Sequence, residues 1–237
     1  MEKTSKGKNV DFVFLGLMII SLIGLIICKI LKIGIAIVFL KILTSCLFVI
    51  LGVISYKKGK SNKKYSLFII LGLIFSMFGD TFLVIDENQG ICFYLGVVAF
   101  AIGHIMYIIG FSSCTKLTLR DCIICLIIFT PIVLMMIIGK FDFNGMFPIL
   151  VFYAMIICFM VSKALSLTKY YSDNKKAVIM TIAGAVMFLI SDILLLFILF
   201  YTKEYMLLRS EANWIIYYPG QAILAMSLKQ NIQFQKR

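Results

Sequence analysis

Residues 65–85 read YSLFIILGLIFSMFGDTFLVI, and this stretch decides the fold. It contains one charged side chain, Asp80, and no proline. At about 1.5 Å of rise per residue, a helix of this length crosses the ~30 Å hydrocarbon core of a bilayer. The stretch therefore predicts a membrane-spanning α-helix that carries a carboxyl group inside the membrane.

Seven further apolar runs lie on either side of it, at about 10–28, 33–54, 91–111, 121–139, 146–168, 177–201 and 212–228. Together the runs predict an all-α, polytopic membrane bundle of eight transmembrane helices. The composition agrees, because 62% of the 237 residues are hydrophobic and only 14% are charged, whereas a soluble domain has roughly 25% charged residues.

No connection between the runs is long enough to fold as a separate domain, since the longest, 55–64, has ten residues. We therefore expect a single integral membrane domain over residues 1–237, with any chemistry inside the bundle or at its mouths. This organisation excludes nucleic-acid enzymes and nucleotide-binding folds.

The net charge of +12 is distributed unevenly between the two sides of the predicted bundle. With an even number of helices both termini share one side, and that side carries seventeen of the 23 Lys and Arg residues, against five on the other. The positive-inside rule therefore places both termini in the cytoplasm. The uneven distribution of the basic residues is a topology signal, and the same residues attract anionic membrane lipids. We therefore expect membrane lipids, and no nucleic acid, as partners.

Polar side chains inside the spans are the candidate functional groups, because each costs roughly 2.5 kcal/mol or more at the bilayer centre unless it is paired or hydrated. Nine of the eleven acidic residues lie in loops or at helix ends, and Asp80 and Asp192 lie within spans. The remaining candidates, at overlapping depths, are Lys41, His104, Tyr107, Tyr217, Tyr218 and Gln221.

A metal site is not expected, because a zinc hydrolase needs about three protein ligands and the chain has one histidine. The seven cysteines are scattered and odd in number, so they are interpreted as small hydrophobic residues.

The sequence contexts of the polar residues occur twice. Helix 3 carries Gly79-Asp80-x-x-Leu83 and helix 7 carries Ser191-Asp192-x-x-Leu195. Helix 4 reads Phe100-x-x-Gly103-His104, and helix 8 reads Tyr217-x-x-Gly220-Gln221. The pattern predicts a parallel internal repeat with halves at about 10–111 and 121–228, and a site at their interface.

Structural roles remain open for each of these groups. The two aspartates could be protonated carboxyls that link helices, His104 a core histidine and Gln221 a brace between helices. Lys41 could extend to the membrane surface, and the tyrosines could belong to an interfacial aromatic belt.

Four ordered motifs in this sequence resemble those of the YhhN-like lysoplasmalogenase family. They are Gly79-Asp80-x-x-Leu83, Gly96-x-x-x-Phe100-x-x-x-His104-x-x-Tyr107, Ser191-Asp192-x-x-Leu195 and Tyr217-Tyr218-x-x-Gln221. The resemblance runs from Lys41 to about Leu228. It implies a multi-pass protein of a bacterial cell membrane that hydrolyses the vinyl ether bond of a lysophospholipid substrate, with Asp80 and Asp192 as the catalytic pair.

The chemistry of that reaction suits two carboxyl groups without a metal or cofactor. A vinyl ether is cleaved by protonation of carbon, and water then captures the resulting cation. One carboxylic acid and one carboxylate provide these functions, as in glycosidases. His104, Tyr107 and Gln221 would orient the pair or the water, and Lys41 would meet the lipid phosphate. Two other classes remain open, a proton-coupled transporter and a non-catalytic lipid-binding protein.

Overall fold

The computed structural model describes residues 10–59, 61–85, 90–170, 175–202 and 210–230. Over these residues the chain forms eight α-helices, and each predicted span agrees with its helix to within four residues at either end. They are α1 Val10–Ile30, α2 Gly34–Lys58, α3 Lys63–Ile85, α4 Ile91–Ser112, α5 Leu119–Ile138, α6 Phe147–Tyr170, α7 Lys175–Phe200 and α8 Ser210–Ser227, followed by a 3₁₀ turn, Leu228–Gln230.

Seven of these helices, α1 to α7, are long and apolar enough to cross a membrane, so the chain is an integral membrane protein. The 18-residue α8 is less apolar, because it carries Glu211, Asn213 and Gln221. Several basic residues behind the topology prediction lie outside the described residues, namely Lys3, Lys6, Lys8, Lys60, Lys203, Arg209, Lys236 and Arg237.

Ion pairs to one buried carboxyl group join the start of α1 to the end of α2 and to the 3₁₀ turn that follows α8. Asp11, only 1% exposed, pairs with Lys58, and its second oxygen accepts a hydrogen bond from Lys229 Nζ at 2.6 Å. The first and last described helices therefore begin and end on the same face of the bundle, which we call the terminal face.

A second buried acid, Asp121, fixes the start of α5 against α6. Its carboxylate pairs with Lys163 Nζ at 3.1 Å and accepts hydrogen bonds from Ser166 and from the Thr118 backbone N–H. The prediction that Asp11 and Asp121 lie at helix ends is confirmed, but both side chains are buried. Lys163, which the sequence analysis counted as a basic residue of the cytoplasmic side, is fully buried.

The helices pack in the same order in the two halves of the chain. Consecutive helices contact each other within α1–α4 and within α5–α8, and the halves meet through α2 against α8 and α4 against α6. Glycines permit the close approach of α3 to α4 and of α7 to α8. A Cβ at Gly72 would lie 2.3 Å from the Tyr107 ring, and one at Gly184 would lie 2.4 Å from Leu224.

The opposite face, which we call the distal face, is closed by the segment between α5 and α6. Asp142 N–H donates to the Phe200 carbonyl at 2.8 Å, and Thr202 N–H donates to the Lys140 carbonyl at 2.9 Å. The Phe143 ring packs against Phe200, with centroids 5.6 Å apart. Residues 139–146 therefore form an aromatic cover beside the end of α7.

Candidate functional site

Asp80 lies on α3 at the centre of a buried hydrogen-bond cluster. Its Oδ2 accepts hydrogen bonds from Ser45 Oγ at 2.6 Å and from Tyr217 OH at 2.8 Å. Ser45 is on α2 and Tyr217 on α8, so the carboxyl group joins three helices from both halves of the chain. We call Asp80, Ser45 and Tyr217 the Asp80 cluster.

Lys41 lies one helical turn before Ser45 and is 8% exposed. It interacts electrostatically with Asp80, and its Nζ lies 5.9 Å from the centroid of the Trp214 ring, within cation–π range. Tyr218 OH donates a long hydrogen bond, 3.5 Å, to the Lys41 carbonyl. Lys41 is thus held inside the bundle, beside the carboxyl group, rather than extended to the surface.

Asp192 forms a second cluster with residues of α4 and α6. Tyr153 OH donates a hydrogen bond to Asp192 Oδ2. The same phenol oxygen lies 2.9 Å from His104 Nε2, which is itself 3.6 Å from Asp192 Oδ2. We call His104, Tyr153 and Asp192 the Asp192 cluster.

The hydrogen bonds of this cluster relate the proton of Tyr153 to the tautomer of His104. A phenol has one proton, so when Tyr153 donates it to Asp192, Nε2 of His104 is the donor towards Tyr153. The Nδ1 atom is buried and has no hydrogen-bond partner among the described residues. In that tautomer of His104, Nδ1 is a hydrogen-bond acceptor.

Tyr107 and Gln221 form a link of their own between α4 and α8. Tyr107 OH donates to Gln221 Oε1 at 2.9 Å, and both side chains are fully buried. Gln221 lies one turn from Tyr217, so this link is adjacent to the Asp80 cluster.

Phe188 separates the two carboxyl clusters. Its ring centroid lies 4.5 Å from that of His104 and 5.2 Å from that of Tyr217. Asp80 and Asp192 interact electrostatically across this aromatic layer. The structure therefore divides the sequence-predicted residues between two neighbouring clusters, with Tyr107 and Gln221 beside them.

An apolar cavity, partly open to its surroundings, borders one of the two carboxyl groups. It lies between α4, α5, α6 and α7, with Leu83 of α3 at its edge, and Asp192 and Tyr153 are the polar residues that line it. The Asp192 side chain is 15% exposed, whereas Asp80 is 4% exposed and is not part of the cavity wall.

Sequence reasoning missed Tyr153, Ser45 and Phe188. The predicted repeat offers a signal for the first, because Tyr153 precedes Asp192 by 39 residues and Lys41 precedes Asp80 by the same number. Ser45 and Phe188 carry no such signal, since serine and phenylalanine are common in apolar helices. In the parts of the chain that the structure describes, His, Cys, Asp and Glu form no group of three or more suited to a metal ion.

A family model described as the YhhN family matches residues 36–228 of this chain. The matched region begins in α2 and ends just after α8, so it contains both carboxyl clusters and the cavity. No curated protein and no solved structure matches the chain.

Proposed function

The chain belongs to the YhhN family, and on this premise we propose that it is an intramembrane hydrolase that cleaves the vinyl ether bond of lysoplasmalogens. The products are a fatty aldehyde and a glycerophospho-base. The observation that carries the proposal is a carboxyl group, Asp192, at the wall of an apolar cavity, with a second, Asp80, held behind one aromatic ring. Pockets for small ligands are typically lined by apolar side chains with few polar groups.

Asp192 is the acid in this proposal, because it is the carboxyl group that faces the cavity. It transfers its proton to the alkenyl carbon that is not bonded to oxygen, and the C=C electron pair forms the new C–H bond. The positive charge is then shared between the other alkenyl carbon and the ether oxygen. Tyr153 and His104 position the Asp192 carboxyl group through their hydrogen bonds.

Water completes the reaction by adding its oxygen to the cationic carbon. Its proton returns to the Asp192 carboxylate, which regenerates the acid. The resulting hemiacetal loses the glycerophospho-base as an alcohol and leaves the aldehyde, so protons and electrons balance. Asp80, with Lys41, Ser45 and Tyr217 around it, provides the second carboxyl group near the developing cation.

Lys41 is the proposed partner of the lipid phosphate, and Tyr107, Tyr218 and Gln221 are proposed to position groups around the Asp80 cluster. Each of these side chains is buried beside that cluster, which supports a role in holding a polar ligand there. The proposed substrate partner is therefore a lysophospholipid that enters from the membrane.

We further propose that the two halves are a parallel repeat, that α8 crosses the membrane as the eighth span, and that both termini are cytoplasmic. Each carboxyl cluster takes one residue from its own half and one from the opposite half, and the equal spacing of 39 residues supports the equivalence. The pairing of Asp11 with Lys229 supports termini on one face.

The test is aldehyde release from a lysoplasmalogen by the purified protein in detergent. A 1-acyl lysolipid is the control substrate, because its ester bond is not cleaved by carbon protonation. Asp80→Asn and Asp192→Asn should each lower turnover by at least ~10²-fold, while Asp142→Asn, at an exposed loop carboxyl group, should leave it unchanged. Turnover should also slow in heavy water and persist in EDTA.

Two results would contradict the proposal. Activity that survives either aspartate substitution would assign the chemistry to another group. Absence of hydrolysis, combined with movement of a lipid or solute across proteoliposomes, would instead identify a carrier.

A further inference from the structure

We propose that the apolar cavity holds a single unbranched hydrocarbon chain, with the ether end at Asp192 and the methyl end towards the distal face. The length of the cavity would then determine which chain lengths the protein binds. This inference rests on the proposed function, because it names the part of the substrate that the cavity binds.

The chemistry of the cavity wall indicates a ligand that is polar at one level only. Seventeen residues line the cavity, and fifteen of them are apolar. The two others, Tyr153 and Asp192, are hydrogen-bonded to each other, so they lie at the same level. A ligand with further polar groups along its length would leave them without partners, at a cost of several kcal/mol each. A hydrocarbon chain with one ether end meets this condition.

The cavity extends mainly to one side of Asp192. On α7 its wall runs from Leu189, three residues from Asp192 on the terminal side, to Phe200, eight residues from Asp192 on the distal side. Eight residues of helix correspond to about 12 Å. The long arm of the cavity therefore points to the distal face, and a chain whose reacting end is at Asp192 must extend that way.

The long arm ends against the aromatic cover formed by residues 139–146. Phe93 and Phe200 line the cavity and pack against each other with centroids 6.4 Å apart. Phe143 packs on Phe200 from the loop. This wall limits the length of an extended chain and explains why cavity length would set chain preference.

Leu150 and Ile149 provide a matched pair of positions for the test. Leu150 lies one turn from Tyr153 on the distal side, is 8% exposed and lines the cavity. Its neighbour Ile149 is 44% exposed, and it is not part of the cavity wall. A tryptophan at position 150 should shorten the long arm, and one at position 149 should not.

The probe is a 1-alkyl lysophospholipid whose chain ends in a photoreactive diazirine. The alkyl ether has no double bond to protonate, so labelling is independent of hydrolysis. With a decyl chain, whose extended length of about 12 Å equals eight residues of helix rise, labelled residues should lie at the distal end of the cavity, around Leu196, Leu199 and Phe200. With the diazirine next to the ether, labelling should move to the level of Tyr153.

Leu150→Trp should lower the ratio of decyl to butyl probe labelling by about tenfold or more, a typical effect of pocket size on chain recognition. Ile149→Trp should leave the ratio unchanged, and Leu150→Ala, which enlarges the cavity, should raise it even if the tryptophan variant does not fold. Labelling confined to exposed, lipid-facing side chains, or a ratio that is unchanged in both Leu150 variants, would overturn the inference. Cavity labelling without vinyl ether hydrolysis would retain the inference and refute the proposed reaction.

Discussion

Tyr153 donates a hydrogen bond to Asp192, 39 residues further along the chain, and connects it to His104 on a third helix. In the first half, Lys41 stands at the same spacing from Asp80 and interacts with it electrostatically. In the proposed repeat, equivalent positions thus carry a tyrosine in one half and a lysine in the other. This difference is consistent with different roles for the two carboxyl groups.

Removal of the Tyr153 hydroxyl should reduce activity without unfolding the protein. In Tyr153→Phe the ring remains, but Asp192 and His104 lose the hydrogen bonds that orient them. Turnover of a lysoplasmalogen should fall by about 10²-fold, a typical cost of misplacing a reacting group. Tyr94→Phe, at a 41% exposed ring on α4, is the control. Equal activity in the two variants would show that Tyr153 has no positioning role.

The buried ion pair between Asp121 and Lys163 should dominate the stability of the α5–α6 contact. Asp121→Asn leaves the fully buried Lys163 ammonium without its carboxylate, which should cost about 3–5 kcal/mol. Thermal unfolding in detergent measures the loss. Because the unpaired charge causes it, Asp121→Asn combined with Lys163→Met should recover part of the lost stability. A double variant no more stable than Asp121→Asn would contradict this explanation.

Close approach of α3 and α4 depends on the absence of a side chain at Gly72. In Gly72→Ala the new methyl group would lie 2.3 Å from the Tyr107 ring, so the ring must move and its hydrogen bond to Gln221 must weaken. Overpacking of this kind costs about 1–3 kcal/mol. The melting temperature should fall, whereas Gly16→Ala, which meets nothing within 4 Å, should leave it unchanged. Equal melting temperatures would contradict this prediction, because they would show that the Tyr107 ring can move aside without a loss of stability.

Reporter fusions test the proposed topology. A reporter protein that is active only in the cytoplasm should be active when it is fused after residue 237. A reporter that is active only outside the cytoplasm should be active when it is inserted at residues 86–90. The positive-inside bias is the physical reason. An external C-terminus would reverse the bundle and exchange the compartments of the terminal and distal faces.

The limits of the helices were predictable from the sequence, because a membrane imposes a simple requirement of about twenty apolar residues per span. The same requirement made Asp80 and Asp192 conspicuous, since a charge inside an apolar run needs a compensating partner. Asp11 and Asp121 escaped attention because they lie at the edges of the runs. Their burial depends on lysines 47 and 42 residues away along the chain.

The amino-acid sequence was therefore sufficient to predict the class of the fold, the order of the helices and the residues of a candidate site. These properties follow from hydrophobicity along one chain segment at a time. Tertiary structure decided which partner each carboxyl group takes, the position of Phe188 between the clusters, and the cavity at Asp192 alone. Those features depend on side chains from helices distant in sequence, whose contacts are fixed only when the helices pack.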